Sequence, residues 1–143
     1  MKILVISDSH RSYTKLNDVL NRYQDEVDMI IHCGDSEVLE SDPVMQPFVR
    51  RGGIVLDEGD RKYDLMEVFH HEVVGYDDRQ LSSPLCIGIR GNCDYGNYPI
   101  VSIYKNILVT HGHMQFVKGT PFQEGTLDQL VALAKQYQCT KVF

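Results

Sequence analysis

The chain has 143 residues, 43% of them apolar and 24% charged, a balance that suits one globular core. A formal charge of -6, from 14 basic and 20 acidic side chains, argues against a nucleic-acid backbone or an anionic membrane as the main partner. No apolar run nears the length of a membrane span, and the apolar stretch at residues 3–6 is too short for a signal-peptide core. A cytoplasmic location is therefore expected, with Cys33, Cys86, Cys93 and Cys139 as reduced thiols, since they form no C-x-x-C pair.

In chain order, residues 3–6 form a short β-branched run that stops at the polar cluster Ser7-Asp8-Ser9-His10. A strand buried on both faces has this pattern. Leu16, Val19, Leu20 and Tyr23 then recur at helical spacing and predict one apolar stripe. Residues 29–33 predict a second buried strand, which breaks at Gly34-Asp35. Strand, helix and strand in this order make a βαβ unit.

The middle is punctuated by Pro43, Pro47 and Gly52-Gly53 and reads as loop. Residues 54–56 predict a short strand, and residues 64–74 a helix with Leu65, Val68 and Phe69 on one side. Residues 85–89 predict a strand that ends at Arg90-Gly91-Asn92-Cys93-Asp94. Residues 100–104 and 107–110 flank Lys105-Asn106, a two-residue hairpin, and the second arm ends at His111-Gly112-His113. Thr126 and Gln129 have capping-box spacing ahead of a helical stripe through Leu127, Leu130, Val131, Ala134 and Tyr137. Residues 141–143 read as the opening of a further strand.

Four separate strands thus end in residues that bind metals: Asp8 with His10, Asp35, Asn92 and His111. In open α/β sheets, sites form outside the carboxyl ends of strands. Each motif alone has an ordinary reading, as a helix cap, a turn or a left-handed Asn, and the weight comes from the four sharing one edge. Carboxylate and imidazole donors suit divalent ions of borderline hardness. Two such ions about 3.5–4 Å apart hold a hydroxide between them and clamp a phosphoryl oxygen. His113 is placed to contact phosphate or to order His111, whereas His32, inside a strand, reads as a packed histidine. Adjacent His70 and His71 diverge on a helix and do not share a metal. Tyr95, Tyr98 and Phe116 either line the mouth of the site or pack. Arg11, Arg90 and Lys118 are isolated cations, each able to contact a phosphate.

The blocks Asp8-Ser9-His10, Gly34-Asp35, Gly91-Asn92-Cys93-Asp94 and His111-Gly112-His113 resemble, in type and order, those of the calcineurin-like metallophosphoesterases. They are most similar to the small prokaryotic phosphodiesterase branch, in which a cysteine follows the asparagine; larger relatives have a histidine there. The resemblance covers residues 1–48 and 85–143. It implies that Asp8 and His10 hold one metal, that Asp35 bridges, and that Asn92 and His111 hold the second. Asn92 and His113 are the expected catalytic residues. The resemblance also implies two divalent ions, Mn2+ first, with Ni2+, Zn2+, Fe2+ or Mg2+ as alternatives.

Two departures accompany the resemblance. The family's Gly-His-x-His block, one imidazole per metal, does not occur, and residues 49–84 exceed what small members need. That stretch could be a cap, a dimerisation element or a poorly packed region.

The expected fold class is therefore α/β: a two-sheet sandwich flanked by helices, C-terminally incomplete, in a single domain with an insertion at about 49–84. The expected function is metal-dependent hydrolysis of a small phosphoester, a phosphodiester first, by a metal-bridging hydroxide, with no membrane and no nucleic-acid partner. The alternative is a weak or inactive scaffold of the same fold that binds proteins. Val142 and Phe143 at an open edge make self-association into a homo-oligomer an expectation.

Overall fold

Short β-branched runs pair as the alternation of their side chains requires. In the computed structural model, residues 1–39, 41–49, 53–57, 73–77, 84–94, 98–112 and 127–143 are described. Strand β1 (Ile3–Ile6) leads through helix α1 (Tyr13–Tyr23) into β2 (Met29–His32). The two strands are parallel, with Ile3 opposite Met29 and Ile6 opposite His32. Strand β5 (Leu85–Gly88) lies parallel on the other side of β2, giving a three-stranded sheet in the order β1-β2-β5.

The second sheet is mixed. It contains β3 (Ile54–Asp57), β4 (Val73–Tyr76), β6 (Val101–Tyr104), β7 (Ile107–Thr110) and β8 (Lys141–Val142), in that order across the sheet. Tyr104 faces Ile107, so β6 and β7 form the expected two-residue hairpin through Lys105 and Asn106. Strand β8 pairs parallel with β7 at the sheet edge.

Three apolar clusters show how the layers stack. Met29, Ile31, Leu85 and Ile87 of the first sheet meet Tyr104, Ile107 and Val109 of the second. On the outer face of the first sheet, Ile30 packs with Leu16 and Leu20 of α1 and with Met45 and Phe48. On the outer face of the second, Val101, Ile103 and Leu108 pack with Leu133 and Ala134 of helix α2 (Leu127–Gln136). Successive β2 residues alternate between two cores, which is why all four are buried. The α/β sandwich with outer helices is the expected architecture.

The middle of the chain differs in part from expectation. Pro43–Phe48 is a short 3₁₀ helix rather than loop. Asp42 caps it by accepting a hydrogen bond from the Val44 amide at 3.0 Å, and Pro43 sits at its start, where no amide donor is missed. Most of the helix expected over residues 64–74 lies outside the described residues. Its last two positions, Val73 and Val74, instead open β4, which pairs parallel with β6. Both are β-branched and buried, at 4% and 0% exposure, a setting that favours a strand.

Candidate metal centre

The carboxyl ends of β1, β2, β5 and β7 meet at one edge of the sandwich. Backbone pairing continues past the strands: the Asp8 amide donates to the Gly34 carbonyl at 3.0 Å, and the His10 amide to the Asp35 carbonyl at 3.0 Å. The two loops turn sharply there. Asp8, His10, Arg11, Asp35 and Glu37 all have positive φ, between 40° and 61°. Non-glycine residues rarely adopt this conformation, and such clusters mark functional sites.

Close approach of the loops needs glycine at two positions. Gly34 has φ of +105°, and a Cβ there would come within 2.8 Å of the Gly91 amide nitrogen. A Cβ on Gly91 would overlap the Asp35 carboxylate outright.

Two groups of donors result, and Asp35 belongs to both. One ligand atom from each of Asp8, His10 and Asp35 lies within 4.8 Å of the others. On the other side, His111 Nε2 is 3.4 Å from Asp35 Oδ2 and 2.9 Å from Asn92 Oδ1. The structure thus gathers Asp8, His10, Asp35, Asn92 and His111, from four strand ends, around Asp35, a residue only 4% exposed. Ser7 Oγ donates a hydrogen bond to the Asp8 carboxylate. His113 lies outside the described residues, as do His70, His71, Tyr95, Phe116 and Lys118. Tyr98 is buried in the core beside α1.

Hydrogen bonds fix which nitrogen of each imidazole faces the centre. Glu37 Oε2 can only accept, so His10 Nδ1 at 2.8 Å donates to it and Nε2 is left toward Asp8. This contact holds the His10 imidazole above its ordinary pKa and, with Arg11, holds the Glu37 carboxyl below its own. Likewise His111 Nδ1 donates to the Cys33 carbonyl at 2.8 Å. A carboxylate or carbonyl behind a histidine sets the tautomer and the ring orientation of metal ligands. On His111, Nε2 then faces two oxygen acceptors, Asn92 Oδ1 and Asp35 Oδ2. A proton on Nε2 or a cation among these atoms would equally satisfy the two oxygens. This donor set fits divalent cations of borderline hardness.

Asp94 braces the arrangement. It accepts from the backbone amides of Asp35 at 2.7 Å, Gly91 at 2.8 Å and Glu37 at 2.8 Å. Glu37 and Asp94 have no spacing signal of their own in the sequence, although Asp94 closes the Gly91-Asn92-Cys93-Asp94 block. Cys93 donates its amide to Asp35 Oδ1 at 2.9 Å, and burial, then the Asp35 charge, pushes its thiol up. No helix among the described residues is long and apolar enough to cross a membrane.

The family model of the calcineurin-like phosphoesterases matches residues 1–138. The chain is 28% identical over 125 residues to the "Probable metallophosphoesterase YsnB" of Bacillus subtilis, covering 84% of this chain and 52% of that protein. Its fold matches the crystal structure of a conserved Streptococcus pneumoniae protein described as a "predicted phosphoesterase". That match has a TM-score of 0.58 at 22% identity and covers 99% of this chain and 59% of the other. The chain thus spans little more than half the length of either relative. The two-sheet fold, the motif blocks in their order and the family match give one conclusion: the chain belongs to the calcineurin-like phosphoesterase family.

Proposed function

We propose that the chain carries the metal-binding and hydrolytic centre of a phosphodiesterase acting on a small phosphoester. The observation that carries the reading is the placement of Asp35, whose buried carboxylate belongs to both donor groups. Asp8, His10 and Asp35 would hold one divalent cation; Asp35, Asn92 and His111 would hold a second. Mn2+ is the first choice, and the same donors accept Ni2+, Zn2+, Fe2+ or Mg2+. When bound, such a pair supplies an acidified water as nucleophile and positive charge against the phosphoryl oxygens.

The chain's own residues do the remaining work. Glu37 and the Cys33 carbonyl keep the His10 and His111 hydrogens on Nδ1, so each Nε2 is presented as a donor atom. Asp94 holds the Asp35 backbone, and the Cys93 amide orients its carboxylate. Arg11 Nη2 is 3.3 Å from Glu37 Oε1, which places a guanidinium at the rim within reach of an incoming phosphate. No serine or cysteine nucleophile is required.

Metal analysis of the purified protein, with hydrolysis of bis(p-nitrophenyl) phosphate with and without added Mn2+, tests the reading. Bound metal with Mn2+-dependent turnover is expected. Metal uptake without turnover would favour a scaffold of the same fold, and absence of both would sink the metal centre.

A further inference from the structure

We propose that His32 is a positioning residue: a buried imidazole that holds the loop carrying Asp8 and His10 and the loop carrying Asp35 at a fixed separation, and so sets metal affinity. The inference rests on the metal-centre reading above. His32 closes β2 and is 1% exposed. Its ring stands edge-on to Phe48, with centroids 5.9 Å apart. An apolar side chain would serve packing there equally well. A polar ring in such a place is unfavourable unless its nitrogens are satisfied.

Both nitrogens are engaged, and each contact reaches a different loop. The Gly34 amide lies 3.2 Å from Nδ1. An amide can only donate, so Nδ1 is the unprotonated nitrogen. In the neutral ring Nε2 then carries the hydrogen and donates it to Ser9 Oγ at 2.9 Å. Ser9 sits between Asp8 and His10, and Gly34 immediately precedes Asp35. One rigid ring therefore spans the two loops from the core side. Glu37 ties the same loops from the solvent side through His10 and Arg11. The loops are strained, with Asp8, His10 and Asp35 at positive φ, so they need bracing from both sides to keep their carboxylates converged.

The test compares the metal-stripped wild-type chain with His32→Phe, Ser9→Ala, the double variant and His32→Gln. Mn2+ affinity is measured by calorimetry and by electron paramagnetic resonance of free Mn2+, and folding by circular dichroism and metal-free melting. His32→Phe keeps the ring volume and the Phe48 contact but loses both hydrogen bonds, and it should weaken Mn2+ binding by about 10–100-fold, as loss of supporting partners does. Ser9→Ala should weaken it by less, and the double variant no more than His32→Phe, because one bond is being counted twice. His32→Gln, which keeps an amide donor near Nε2, should recover part of the loss.

Wild-type affinity in folded His32→Phe, or additive losses in the double variant, would overturn the proposal. Should His32→Phe fail to fold, Ser9→Ala decides alone, and wild-type affinity there overturns it. A wild-type chain that binds no Mn2+ removes the metal-centre reading and this inference with it. Wild-type binding that His32→Phe leaves intact removes only this inference.

Discussion

The two sheets divide the labour unevenly. The three-stranded parallel sheet ends in loops that carry Asp8, His10, Asp35 and Asn92, whereas among the described residues the five-stranded mixed sheet sends one gathered donor, His111, from the end of β7. Parallel strands bring all their carboxyl ends to one edge, so each strand delivers a loop to the same place. In the mixed sheet the β3–β4 and β6–β7 neighbours run antiparallel, so the strand ends are divided between two edges. Its larger contribution is a packing surface on both faces, through Ile107 and Val109 on one side and Leu108 on the other.

The comparison breaks most visibly at Asp35. Asp35→Asn keeps the shape but removes the shared charge, and should lower Mn2+ affinity and phosphodiester hydrolysis together by more than about 100-fold while circular dichroism stays unchanged. Full metal content with full activity would take Asp35 out of the shared position. In the second sheet the expected loss is stability. Leu108 is 0% exposed against α2, and Leu108→Ala should destabilise the fold by about 2–5 kcal/mol in urea titrations, with Mn2+ affinity per folded molecule unchanged. A loss of affinity larger than the loss of stability would show that the two sheets are not separable in this way.

A smaller effect concerns pH. Burial holds the His32 imidazole below its ordinary value of 6.5, against the charges of Asp94, Asp8 and Asp35, which pull it up. The unfolded chain therefore takes up the proton first as pH falls. The stability that neutral His32 contributes is complete above 6.5 and declines below it, by up to about 1.4 kcal/mol per pH unit, until the folded value is reached. Melting temperatures of metal-free wild type should fall more steeply below that pH than those of His32→Phe, and parallel curves would assign the dependence to other groups. The smallest effect is expected on the outer face of α2. Val131 is 42% exposed, and Val131→Ser should change stability by no more than about 0.5 kcal/mol in the same titration.

Much of the frame is legible in the sequence because the relevant signals are local. The β-branched runs at β1, β2 and β7 end abruptly at polar residues, and the stripe through Leu16 and Leu20 has one period. The Lys105-Asn106 hairpin follows from the spacing of its arms alone. What is not legible depends on contacts between distant segments. Val73 and Val74 continue a pattern that suits either a helix or a strand, and pairing with Val101 and Ser102 decides it. Pro43 and Pro47 read as loop, although Met45 and Phe48 beside them are buried in the α1-side core. The braces Glu37 and Asp94 act through hydrogen bonds to residues 27 and about 59 positions away, for which no periodicity exists. His32 is packed, as its strand position suggests, and the structure adds two hydrogen bonds that packing alone does not foretell.

The left-handed residues at Asp8, His10, Arg11, Asp35 and Glu37 have a kinetic consequence. Each stands about 1–2 kcal/mol above its relaxed conformation and is held there by its neighbours. This rim is wound like a spring, and cations gripped by its carboxylates would act as the catch. Chelation should therefore speed deuterium uptake at the amides of these two loops before it reaches the interior strands.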